Sequence, residues 1–235
     1  MFYECVLRYT PTSLNSTKGY FDLVVKAYPA GNGDGVSSYI HSLKPGDNIE
    51  VKGCYTTKKI EANQYKEIGL IAGGSGLTPM LQVAQELLNT IEDETKLSLL
   101  FANVGPEDVY LKSELDELAS LFPERFSVTY AHALGACSGS SADRLIARCC
   151  CDLGPIRYCV DKTGGLSWAG PVGYVSAEHI EKYMPAPREG TLVMICGPGP
   201  MVSAIAGAKT PDYKQGPVGG LLADRGFTSE MVFKM

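Results

Sequence analysis

No apolar stretch in the 235 residues approaches the ~20 needed to cross a bilayer. The first 15 residues also lack the charged-then-apolar pattern of a secretory signal. No run of lysine and arginine occurs, and the formal net charge is −5, which argues against a general nucleic-acid binder. Sequence repeats are absent, and the only low-complexity tract is the small glycine-rich loop at 31–35. Histidine is scarce. Of the three, His41 and His179 fall on predicted short helices without a matching acid or nucleophile, and both read as structural. The third, His132, is the only one near the run Cys149-Cys150-Cys151, which does not have zinc-ligand spacing. No metal site is expected. Cysteine itself is not scarce, with eight residues, but the chain is long and has a core-forming pattern without them. The thiols read as buried or incidental ones in a reducing compartment, and the chain as written reads as cytoplasmic.

What is present is ordinary for a globular protein: 45% hydrophobic and 20% charged residues, in a length that suits one large domain or two of usual size. Residues 1–66 read as β. Tyr20–Tyr28 is rich in strand formers, and Gly46-Asp47 precedes a short strand at Asn48–Lys52. Between them Gly31–Gly35 is a loop, and Val36–Leu43 is a short helix whose serines either offer donors to an anion or merely cap it. From Ile68 onward β and α segments alternate. Strands are predicted at Lys96–Asn103, Phe126–Tyr130 and Thr191–Cys196. Helices are predicted through Leu111, Leu115, Leu118 and Phe122, over Ser176–Met184, and after Pro200. Such alternation implies a parallel sheet covered on both faces, with ligands beyond the carboxyl ends of its strands.

The chain is organised around Ile68–Leu88. An apolar strand, Ile68–Ala72, leads into Gly73, Gly74 and Gly76. Thr78 is then expected as a helix N-cap, with Pro79 at the first helical position. Leu77, Met80, Leu81, Ala84, Leu87, Leu88 and Ile91 follow at helical spacing. A strand, glycine turn and helix N-terminus let backbone approach a ligand and present free N–H groups to an anion, or else serve only tight packing. The spacing matches neither a P-loop nor G-x-G-x-x-G. Cys196-Gly197-Pro198-Gly199-Pro200-Met201 forms a second turn at the end of a later strand, so the two can converge on one crevice. Asp108, beyond the strand ending at Asn103, either accepts hydrogen bonds from a ribose or complements a helix dipole. No Arg or Lys lies between Ala102 and Tyr110 to neutralise a phosphate there.

The wording of these segments resembles the NADH–cytochrome b5 reductase family, within the ferredoxin–NADP reductase superfamily. GGSGLTPMLQ is similar to the start of that family's pyridine-nucleotide domain, and Cys196–Met201 to its C-G-P-x-P-M. Tyr9-Thr10-Pro11-Thr12-Ser13 resembles the flavin-binding R-x-Y-T-P-x-S, Lys26-Ala27-Tyr28 the strand after it, and Gly35–Tyr39 the turn that holds the FAD pyrophosphate. The resemblance implies a partial antiparallel β-barrel FAD-binding domain at 1–66 and an α/β NADH-binding domain at 67–235. It implies FAD and NADH as cofactors, with hydride passing to FAD and single electrons passing on to cytochrome b5 or a similar heme protein. Family members are often at the endoplasmic reticulum or mitochondrial outer membrane, facing the cytosol. A nucleotide-binding remnant without flavin or catalysis is the alternative.

By the same resemblance, Tyr9 and Thr10 lie along the isoalloxazine, Ser37 and Ser38 hold phosphate oxygens, and Ser13, Lys26, Gly35 and Val36 complete the flavin set. Gly73, Gly74, Gly76, Thr78, Pro79, Asp108, Cys196, Gly197, Pro198 and Met201 hold the nicotinamide nucleotide. Thr78 and Cys196 stand nearest the chemistry, Cys196 without acting as a covalent nucleophile. Three departures stand out. The motif's arginine is one residue late, at Arg8, so its side chain points to the opposite face of a strand. Few residues precede the flavin motif, so a truncated barrel is expected. Residues 131–158 interrupt the family pattern as an inserted surface loop or a translated non-coding segment.

Overall fold

A computed structural model describes residues 7–26, 35–105, 108–132 and 175–235. Five parallel strands form its sheet: β1 Glu67–Gly73, β2 Lys96–Asn103, β3 Phe126–His132, β4 Thr191–Cys196 and β5 Val232–Lys234. Their order across the sheet is β3-β2-β1-β4-β5. The chain therefore starts in the middle, winds outward through β2 and β3, and returns to the other side of β1. Connections leave β1 and β4 in opposite directions, which opens a crevice between their carboxyl ends.

Alternation along the central strands sends side chains into two cores, as parallel strands covered on both faces require. Ile68, Leu70 and Ala72 of β1 pack with Leu97, Leu99 and Phe101 of β2 beneath α2 (Leu77–Asn89) and α3 (Lys112–Leu121). Ile71, Leu100, Val193 and Ile195 face the other way, toward α4 (Ala177–Tyr183), α5 (Gly199–Ala206) and α6 (Gly220–Asp224). Burying each such side chain is worth about 1.5–3 kcal/mol, so these layers hold the crevice in place.

Local signals account for most boundaries. Ser176 caps α4: its hydroxyl accepts the His179 N–H while His179 Nδ1 accepts the Ser176 N–H at 3.1 Å, so His179 is structural as expected. The expected N-cap at Thr78 is corrected. A short 3₁₀ turn, Gly74–Gly76, precedes α2, Gly76 is the cap, and Thr78 and Pro79 occupy the second and third helical positions. Proline is harmless there because the first four N–H groups of a helix lack partners anyway. Ile91 lies beyond the helix and is 93% exposed. Ala131 and His132, placed in the insertion by sequence, are the last two residues of β3. Ala131 pairs with Ala102 and is fully buried, because the sheet core continues past Tyr130. The rest of that insertion, the loop at 31–34, and Ala27 and Tyr28 lie outside the described residues.

β5 and α6 were not foreseen, since three- and five-residue elements are too short for periodicity to register. Within 7–26 and 35–66 the described residues contain one helix, α1 (Gly35–Ser42), and no β-ladder. The segments expected as strands at Tyr20–Tyr28 (up to Lys26) and Asn48–Lys52 are irregular chain, because strands exist by pairing and no paired neighbour lies among the described residues. Scattered backbone and side-chain hydrogen bonds fix this region instead. The Thr12 N–H bonds the Asp22 carbonyl at 2.9 Å, His41 Nε2 bonds the Val25 carbonyl at 3.0 Å, and Glu86 of α2 accepts the Asn15 N–H at 2.7 Å.

Buried Asp93 ties the connector to the sheet. Its carboxylate accepts the N–H groups of Asn63 and Thr95 and pairs with Arg125 at 3.1 Å, and Arg125 also donates to the Leu87 carbonyl.

Candidate functional site

At the carboxyl ends of β1, β2 and β4 lies a cleft of about 540 Å³. Its floor is the glycine turn, Gly73–Ser75, and one wall is Gly197, Pro198 and Met201. The opposite wall is Asn103, Asp108 and Tyr110. Val24, Val25 and Lys26, from the first third of the chain, close the remaining side. Two segments 124 residues apart thus converge because β1 and β4 are register neighbours, Ala72 opposite Cys196.

Close packing shapes the turn. A Cβ on Gly76 would sit 2.2 Å from the Cys196 carbonyl oxygen, so the turn rests against the end of β4 with no room for a side chain. Gly74 adopts φ +49 and has open space above it, leaving backbone accessible from the cleft. Tyr110 braces the turn from behind: its hydroxyl donates to the Gly74 carbonyl at 3.0 Å, and its ring meets Phe101 edge-on at 5.7 Å. Burial raises the Tyr110 phenol's pKa, so the hydroxyl keeps its proton as the donor. Sequence reading missed Tyr110, because nothing local marks a tyrosine that reaches back 36 residues.

Asp108 lines the cleft. Its Oδ2 accepts the Gly105 N–H at 3.1 Å, and Oδ1 faces Lys26 Nζ at 4.0 Å. The strand-end window carries no cation of its own, but the fold brings Lys26 to it. Asn103 is a second residue that sequence reading missed. It is 4% exposed, lines the cleft, and neither its amide nitrogen nor its oxygen has a hydrogen-bond partner.

Thr78 and Cys196 are not on the lining. Thr78 is buried in the first turn of α2, with a weak 3.4 Å contact from its hydroxyl to the Ser75 carbonyl. Cys196 is half-buried. Burial raises its thiol pKa against the opposing pull of Lys209 and the Gly197 backbone, so the sulfur stays protonated, in keeping with a non-nucleophilic role. Lys209, 13 residues on, is brought near Cys196 by the fold; burial lowers its pKa, and Arg8 lowers it further.

The expected flavin residues fall around α1. The Ser37 hydroxyl donates to the Lys26 carbonyl at 2.6 Å, and Ser13 Oγ accepts the Asp22 N–H at 3.1 Å. Ser38 is exposed, Gly35 and Val36 open the helix, and Tyr9 and Thr10 are half-buried. The N-terminus of α1, with the exposed Ser38, suits a phosphate. The glycine turn, the Asn103 amide and the Asp108 carboxylate suit a nucleotide. No group of three or more metal-ligating side chains occurs among the described residues.

Comparison with known proteins accords with this arrangement. Residues 3–60 match the model of an oxidoreductase FAD-binding domain, and residues 70–144 that of an oxidoreductase NAD-binding domain. The NADH-cytochrome b5 reductase-like protein of Arabidopsis thaliana is 42% identical over 226 residues, 96% of this chain and 59% of the relative. NADH-cytochrome b5 reductase 2 of Aspergillus niger is 37% identical over 98% of this chain and 62% of its own length. The chain is thus similar to NADH–cytochrome b5 reductases and carries segments matching oxidoreductase FAD- and NAD-binding domains. It spans about six tenths of the length of these curated relatives. The crystal structure of the cytochrome b5 reductase domain of Ulva prolifera nitrate reductase superposes with a TM-score of 0.73 at 28% identity, covering all of this chain and 81% of that one. Among the described residues no helix is long and apolar enough to cross a membrane.

Proposed function

We propose that this chain binds NADH in the cleft and FAD against α1, and passes electrons singly to cytochrome b5 or a similar heme protein. One observation carries the reading. The nucleotide cleft of the parallel sheet is closed by Val24–Lys26, the segment to which α1 is tied through Ser37 and His41. A nucleotide in the cleft and a flavin at α1 would therefore share a wall.

The roles of the residues follow from their chemistry. Backbone N–H groups at Gly74 and Ser75 receive a pyrophosphate, and Asp108 takes a ribose diol and repels a 2′-phosphate. Gly197 and Pro198 bring the end of β4 against the same ligand, and Met201 shields it from water. Thr78 and Cys196, one layer back, set the shape of the nicotinamide end. Tyr9, Thr10, Ser13, Lys26, Gly35, Val36, Ser37 and Ser38 form the flavin side, with phosphate held by the helix N-terminus and Ser38, while the Ser37 hydroxyl fastens α1 to the Lys26 carbonyl. Bound FAD would supply the conversion between two-electron acceptance and one-electron delivery, chemistry that no side chain of the site provides.

The purified chain, incubated with FAD and passed through gel filtration, should retain flavin absorbance. Anaerobic NADH should then bleach it, and cytochrome b5 should be reduced. The absence of a β-ladder in 7–26 and 35–66 favours a second reading, a nucleotide-binding chain that does not hold flavin. NADH binding without flavin retention would select that one.

A further inference from the structure

Asn103 ends β2 between two parts of the cleft that already have a chemical character. On one side is the glycine turn, since Ala102 pairs with Gly73 across the sheet. On the other is Asp108, held by the Gly105 N–H. The amide is 4% exposed, and its donor and acceptor are both unpartnered. A buried polar group without a partner destabilises a fold, and the great majority of such groups are paired. Asn103 is in register with His132, and the pair one step back, Ala102 with Ala131, is buried and apolar, so that pair offers the amide no partner.

We propose that Asn103 is a binding residue for the adenosine half of the coenzyme, its side-chain amide engaging a ribose hydroxyl. This inference rests on the reading of the cleft as a nucleotide site. The choice of group follows from hydrogen-bonding capacity. Asn103 offers one acceptor oxygen and a donor nitrogen, whereas a phosphate supplies acceptors alone and would leave the amide oxygen unmatched. A hydroxyl both donates and accepts. Its place between the pyrophosphate turn and Asp108 puts that hydroxyl at the 3′ position of the adenosine ribose, shared with the Asp108 carboxylate, which also reaches the 2′-hydroxyl.

The residue is then a trade between empty and filled states. Without ligand the amide weakens the fold; with ligand it is satisfied. Asn103→Leu, similar in shape and apolar, should therefore raise the melting temperature of the ligand-free protein while weakening ADP-ribose binding, measured by calorimetry, roughly ten- to a hundredfold. NADH affinity should fall by a similar factor, since both ligands carry the adenosine half. Asn103→Ala provides the affinity readout should the leucine variant fold poorly.

Unchanged ADP-ribose affinity in both variants, with the wild type binding it, would overturn the role of Asn103 and leave the cleft assignment standing. Loss for NADH but not for ADP-ribose would also overturn it, by placing the contact on the nicotinamide half. A ligand-free Asn103→Leu protein that melts well below wild type would show the amide to be structurally paired. Failure of wild type to bind either ligand would remove both the cleft assignment and this inference.

Discussion

Replacing Gly76 with alanine should damage fold and cleft together. The backbone there, φ −66 and ψ −1, suits any residue, so the conformational strain of a left-handed glycine plays no part. At such compatible positions glycine-to-alanine changes ordinarily stabilise by about 0.4–1 kcal/mol, through the unfolded chain. The new methyl carbon, however, would lie 2.2 Å from the Cys196 oxygen, 2.5 Å from its carbonyl carbon and 2.8 Å from the Gly197 nitrogen. All three are backbone atoms at the carboxyl end of β4, which is paired to β1 up to Cys196, so no rotamer change relieves the overlap. Either β4 separates from β1 or the turn lifts away from it. Overpacking of this kind costs about 1–3 kcal/mol or more. Net of the entropic gain, a loss of about 2 kcal/mol is expected, and a protein of this size loses roughly 2–4 °C in melting temperature per kcal/mol. Urea unfolding should show the loss, and NADH titration should show weakened binding because the turn is displaced. Gly199→Ala is the control: a Cβ there meets nothing within 4 Å, and stability should hold or rise slightly. A Gly76→Ala protein as stable as Gly199→Ala, with unaltered NADH affinity, would refute the close-approach argument.

Asp108→Ser should relax the preference for NADH over NADPH by about 1–3 kcal/mol, read from the two kcat/KM values. Lys26, 4.0 Å from the carboxylate, would then face an incoming phosphate without its anionic neighbour; an unchanged ratio would remove Asp108 from the site. Asp93→Asn should destabilise by roughly 2–4 kcal/mol in chemical denaturation, because it leaves the Arg125 guanidinium without its charge partner in a largely buried setting. A change under about 0.5 kcal/mol would contradict that. Burial raises the Cys196 thiol pKa above its ordinary 9.0, so the stability contributed by the protonated sulfur is full below about that pH and is lost as pH rises through the folded value. Peptide-resolved alkylation of the native protein near neutral pH should label exposed Cys54 well before Cys196, and equal rates would show the thiol to be accessible.

Sequence alone determined the parallel-sheet half and the position of its cleft. β2 and β4 begin and end where their apolar runs do, and β1 and α2 meet at the glycine turn, because strand and helix periodicities and glycine punctuation are local properties. The expected approach of Gly73–Gly74 to Gly197–Met201 followed from the α/β alternation, since such sheets place their loops at one end. Tertiary structure decided the rest. Tyr110 against Gly74, Lys26 beside Asp108, and Lys209 near Cys196 join residues 36, 82 and 13 positions apart, and no periodicity reports such meetings. Asn103 looked like the last residue of a strand until its surroundings showed an amide buried without a partner. The first third shows the opposite failure. Its strand-forming residues were legible, yet among the described residues they form no ladder, because a strand depends on a neighbour's hydrogen bonds as well as on its own side chains.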